Sequence, residues 1–165
     1  MNQKLISCEL LGELPHIAAQ QWGDRRALIF KDQTWTYRQF EEEVQRLASA
    51  LVQAEVRSGD RVALWLPNCP ELQFLLFAVT RIGAIAVPLN TRYKSMDLAY
   101  ALRCSGSVLL VSCIGAGPVD FDRILAEALG DPAEPGEPQI NFLAAPDLKT
   151  IVMMGDSRIA AYTPW

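Results

Sequence analysis

Between Arg61 and Asn90 the chain reads strand, helix, strand with connections of only a few residues, an order that only a parallel β-α-β crossover satisfies. Arg61 to Leu66 is alternating and then continuously apolar, the pattern of a strand buried on both faces. Asn68 ends it and is the expected N-cap of the helix, with Glu71 at capping-box spacing and Pro70 in the first turn, where no N–H is needed. Leu72, Leu75, Leu76, Val79 and Ile82 recur at helical spacing, and Gly83 follows as a left-handed stop. Ala84 to Val87 is the next strand, and such a crossover is right-handed.

The flanking segments extend the same alternation. Upstream, Leu10, Leu14, Ile17 and Ala18 predict a short helix with Pro15 near its start and Gly23 near its stop. Ala27–Phe30 and Thr34–Thr36 flank Lys31-Asp32-Gln33 as a hairpin. Thr36 and Gln39 form a capping box for a helix to about Ala54, with Phe40, Val44, Leu47, Ala48 and Leu51 inward and Glu41, Glu42, Gln45 and Arg46 facing water. Downstream, Ser95 is the expected N-cap of a helix closed by Gly106. Val108–Val111 is the third core strand, and Phe121–Leu129 a helix burying Phe121, Ile124, Leu125 and Ala128. Residues 130 to 138, rich in Pro and Gly, read as a surface loop, Ile151–Met154 as a last strand, and Ile159–Trp165 as an apolar tail. The expected fold class is α/β, a doubly wound, mostly parallel sheet. It forms a single incomplete domain over 1–165: a lead-in at 1–58, a core at 59–129, a loop at 130–147, and a final strand and tail at 148–165.

Half of the residues are apolar and 21% charged, a globular balance, and the net charge of −4 with no basic run argues against nucleic acid as a partner. Cys8, Cys69, Cys104 and Cys113 lack metal or redox spacing, so no metal site and no disulfide is expected. Glu9 and Glu13 break the apolar centre that a secretory leader would need, and Arg81 and Pro88 interrupt the longest apolar run. The expectation is a soluble, cytoplasmic protein with free thiols.

Read singly, few side chains invite chemistry. Gly115-Ala116-Gly117 sits between a strand and a helix, as a dinucleotide loop would. Asp120 at the third glycine position and Pro118, which removes a donor, make a plain loop the better reading. His16 reads as a surface or packing residue, Glu41-Glu42-Glu43 as the solvated start of a helix, and Trp35, Tyr37, Trp65 and Phe74 as core. Arg92 is different. It stands just past the end of the second strand, where ligands of open α/β sheets gather, and a guanidinium suits phosphate. The competing reading is a solvent-facing arginine before a helix.

Gly59-Asp60-Arg61-Val62-Ala63, Leu66-Pro67-Asn68, Gly83-Ala84 and Val87-Pro88-Leu89-Asn90 follow one another, with Thr36-Tyr37 and Phe40 upstream. In that order and spacing they resemble the opening of the AMP-forming acyl-CoA synthetases, members of the adenylate-forming ligases. The resemblance is close over residues 13 to 112 and implies the opening part of that family's N-terminal domain. It implies a ligase joining a carboxylic or fatty acid to CoA with ATP and Mg, releasing AMP and pyrophosphate. It also implies that Arg92, in the Asn-x-Arg context, faces the CoA nucleotide. The family's phosphate loop with its lysine, its acidic metal ligand and its ribose-binding aspartate have no counterpart here. The expectation is therefore a truncated N-terminal portion, inactive alone, binding neither ATP nor CoA tightly and prone to self-associate through uncovered apolar surface. Two rivals stand beside it: a non-catalytic binding or regulatory module of the same fold, and a dinucleotide-binding half-domain.

Overall fold

The structure is a computed structural model that describes residues 8–129, 144–155 and 163–164, and these fall into two compact units. The first takes residues 1–59 and 68–85, the second residues 60–67 and 86–165.

The first unit opens with a 3₁₀ turn, Leu11–Glu13, and helix α1, Leu14–Trp22, with Pro15 in its first turn and Gly23 at its end. The hairpin follows as β1, Arg26–Phe30, against antiparallel β2, Gln33–Thr36, with Lys31 at a left-handed φ of 52° in the turn. Helix α2, Tyr37–Gln53, begins at the expected capping box: the Gln39 N–H donates to Thr36 Oγ1 at 3.2 Å, and the Thr36 N–H to Gln39 Oε1 at 2.9 Å. Val44, Leu47, Ala48 and Leu51 are buried on one stripe. Helix α3, Pro70–Arg81, packs against α2, with Phe40 edge-on to Phe74 and Phe77 and Trp35 edge-on to Phe74.

The N-cap of α3 is Cys69, not Asn68, and no side chain caps it. The cause is Pro70, whose ring drives the residue before it out of the helical region; Cys69 sits at φ −145°, ψ 162°. Gly83 does adopt the left-handed stop, at φ 76°. Glu55, just past α2, is also left-handed at φ 61°, without glycine's freedom.

The second unit is a sheet. Its strands are β3, Arg61–Trp65; β4, Ile85–Pro88; β5, Leu109–Cys113; β8, Thr150–Met154; and the short β9, Thr163–Pro164, in the order β4-β3-β5-β8-β9. Neighbours β3–β5, β5–β8 and β8–β9 run parallel, with Val62 opposite Leu109 and Leu109 opposite Thr150. Every residue of β5 and all of β3 after Arg61 is buried, as continuous apolar runs require. Helices α4, Ser95–Ser105, and α5, Phe121–Leu129, pack on each other. Lys94, not Ser95, caps α4: its own N–H is bonded by Asp97 at 3.4 Å, so the acid in the first turn fixes the start. Gly106 closes the helix left-handed at φ 60°. Between β5 and α5 lies a small hairpin of β6, Gly115–Ala116, and β7, Val119–Asp120. The alternation of strands and helices is that of a doubly wound α/β fold. The expected loop at 130–138 and most of the tail at 159–165 lie outside the described residues.

Candidate functional site

In the order β4-β3-β5, the chain leaves β3 for one neighbour and later returns to pair on its other side. Such a reversal is where open α/β sheets open a ligand crevice, beyond the carboxyl ends of the strands. Leu89 N–H donates to Leu64 C=O at 2.9 Å, so the carboxyl ends of β3 and β4 lie side by side. Trp65, the last residue of β3, is fully buried, with its ring 4.4 Å from that of Phe121 and its carbonyl accepting from Ser112 Oγ at 3.2 Å. Its indole Nε1–H donates to the carbonyl of Asn90 at 3.0 Å. The same carbonyl accepts the N–H of Tyr93 at 3.0 Å, and Asn90 Oδ1 accepts the N–H of Arg92 at 3.0 Å. Arg92 therefore rides on a turn tied to the end of the sheet. It is exposed, and among the described residues no carboxylate pairs with its guanidinium. The sequence marks Arg92 but treats Trp65 as core alone and Asn90 as a strand end, because the bond joining them spans 25 residues.

Gly115-Ala116-Gly117 lies at the end of β5 but forms no cradle. Gly115 and Ala116 pair with Asp120 and Val119, and Gly117 takes the left-handed turn position at φ 61°. Asp120 Oδ1 accepts the Arg123 N–H at 3.0 Å, so the carboxylate itself occupies the start of α5. A pyrophosphate would meet a negative charge where it needs a free donor.

Glu41 corrects the reading of the acidic run as solvated. Its side chain is only 13% exposed and receives both terminal nitrogens of Arg81, at 2.9 and 2.7 Å. Arg81 Nε also donates to the Gly12 carbonyl at 3.0 Å. His16 Nδ1 stands 3.5 Å from Glu41 Oε1, and its Nε2 lies 2.8 Å from the Gln20 amide nitrogen. Gly12, His16, Glu41 and Arg81 border an open groove of about 400 Å³, yet Glu41 is committed to Arg81 and offers no free base. The cluster joins the 3₁₀ turn, α1, α2 and α3. Of the predicted core aromatics, Trp65 and Phe74 are buried, while Trp35 and Tyr37 are half-buried, Tyr37 packing on Trp22 at 5.4 Å.

The four cysteines are free. Burial pushes the Cys69 thiol up, partly offset by the Leu72 N–H. Among the described residues no group of three His, Cys, Asp or Glu side chains could hold a metal ion, and no helix is long and apolar enough to cross a membrane.

The AMP-binding enzyme model matches residues 16–153. The chain belongs to the AMP-binding enzyme family. YngI of Bacillus subtilis (strain 168), assigned as an acyl-CoA synthetase, is 31% identical over 160 residues, covering 94% of this chain and 29% of the relative. A crotonobetaine/carnitine–CoA ligase of Salmonella enteritidis PT4 is 41% identical over 103 residues, 59% of this chain and 20% of the relative. Among solved structures, a Mycobacterium tuberculosis fatty acyl CoA synthetase superposes with a TM-score of 0.70 at 28% identity, covering 88% of this chain and 26% of that one. The chain thus spans less than a third of the length of the curated relatives it matches, and corresponds to the N-terminal part of the AMP-forming ligases.

Proposed function

We propose that this segment is the N-terminal portion of an ATP-dependent acyl-CoA ligase that joins a hydrophobic carboxylic acid to CoA, releasing AMP and pyrophosphate, and that its own contribution is a phosphate contact for CoA from Arg92. The observation that carries the reading is the exposed guanidinium held at the carboxyl edge of a parallel sheet, in a chain of the AMP-binding family. A planar, permanent cation with no carboxylate partner among the described residues fits a phosphate of the CoA nucleotide. The one Gly-x-Gly is a paired hairpin, and among the described residues no group of three His, Cys, Asp or Glu side chains could hold a metal ion. CoA supplies the thiol that accepts the acyl group; the part of this chain is to bind and orient its nucleotide end. Free thiols suit a reducing cytoplasm, where we place the protein.

The test has two arms. Purified chain with Mg, ATP and a panel of fatty acids should give no acid-dependent pyrophosphate exchange above a boiled control; clear exchange would overturn the reading of an inactive segment. Calorimetry with CoA should detect weak binding that Arg92→Ala reduces, and equal binding by both chains would remove Arg92 from the site.

A further inference from the structure

We propose that Asn90 is the positioning residue for the Arg92 guanidinium and that the Trp65 indole fixes Asn90 to the sheet. The inference rests on the reading of Arg92 as a phosphate contact and adds how that contact is held. Three hydrogen bonds converge on Asn90. Its side-chain oxygen accepts the Arg92 N–H, and its carbonyl accepts both the Tyr93 N–H and the Trp65 indole N–H, each at 3.0 Å. A carbonyl oxygen has two lone pairs, so both are used. The backbone on either side of Arg92 is thereby closed into a turn, by an Asx bond before it and a main-chain bond after it.

What makes this positioning more than a local turn is where the third bond leads. Trp65 is fully buried at the end of β3, its ring against Phe121 and its carbonyl bonded by Ser112. The indole cannot follow a moving loop, so the Arg92 backbone is referenced to the strand and not to solvent. Only the arginine side chain remains to be ordered when an anion arrives. Without the Asx bond the loop populates other conformations, and apparent affinity falls by the fraction that remains competent. Asparagine suits the place because its amide oxygen reaches the N–H two residues on; serine does the same more weakly, and alanine not at all.

The experiment uses the 165-residue chain, isotope-labelled, with CoA as the probe. Hydrogen exchange at the Arg92 amide without ligand should quicken in Asn90→Ala and recover in Asn90→Ser. Affinity for CoA, followed at the Arg92 side-chain Nε–H, should weaken on the order of three- to tenfold in Asn90→Ala, the size of one lost neutral hydrogen bond. It should recover in Asn90→Ser and weaken again in Trp65→Phe, which keeps an aromatic side chain at the buried site and drops the donor along with the second ring. In calorimetry, adding Asn90→Ala to Arg92→Ala should cost nothing further. An Arg92 amide that stays protected in Asn90→Ala, or full CoA affinity in that variant while Arg92→Ala binds poorly, overturns the positioning role and leaves Arg92 in place. No loss in Arg92→Ala, or no binding by the wild-type chain, overturns the Arg92 reading itself.

Discussion

Arg81 at the end of α3 closes on both carboxylate oxygens of Glu41 in α2, at 2.9 and 2.7 Å, while its third donor reaches the carbonyl of Gly12. The two side chains are 21% and 13% exposed, so the pair is partly removed from water and cannot be treated as a surface ion pair. Glu41→Gln should cost about 2 kcal/mol in urea unfolding, because it leaves the guanidinium under-compensated. Arg81→Met should cost as much, and the double variant less than the sum. Arg81→Lys should not rescue, since an ammonium cannot bind the carboxylate in a fork and reach Gly12 as well.

Glu55 gives a prediction of the opposite sign. Its φ of 61° is a conformation that a side chain pays to enter, so Glu55→Gly should raise stability by about 0.5–1 kcal/mol. A melting temperature unchanged or lowered would mean that the glutamate side chain contributes something that offsets its strain.

For Cys69 the direction of the shift sets a pH window. Burial raises its thiol above the ordinary value of 9.0, so the folded chain holds the proton more tightly than the unfolded one. Its contribution is fully present below that value and is lost as pH rises toward the raised folded value. Urea midpoints measured from pH 7 upward should therefore fall above about pH 9 in the native chain, and fall less in Cys69→Ala.

Arg92 can also be tested in catalysis. In a full-length ligase carrying this segment, Arg92→Ala should raise the KM for CoA on the order of tenfold and leave the adenylate-forming half-reaction nearly unchanged. Equal losses in both half-reactions would make the arginine structural.

The elements most legible in the sequence are those whose causes lie within a few residues. The Thr36–Gln39 capping box, the Gly83 stop and the buried runs of β3 and β5 follow from spacing and residue type alone. The start of α3 is equally local, but the restriction that Pro70 places on Cys69 outweighs the capping preference of Asn68. Glu41 could not be read this way. On its own helix it is one of three adjacent acids, and only the packing of α3 brings a guanidinium to it. The candidate site divides likewise: the exposed cation is visible in Asn-x-Arg, whereas the indole that anchors its turn is indistinguishable from any other buried tryptophan.

The discontinuous make-up of the first unit carries a consequence for the order of synthesis. Residues 1–59 leave the ribosome before α3, which brings Phe74, Phe77 and Arg81 to that unit. Glu41 must wait for a partner 40 residues later, about 2–8 s at ordinary elongation rates. Once α2 has emerged, its apolar stripe has no α3 to cover it until α3 follows, and in that interval the nascent chain is most exposed to chaperone capture. A pause that holds α3 inside the ribosome after α2 has emerged should lengthen that exposure, whereas one placed after α3 has emerged should not.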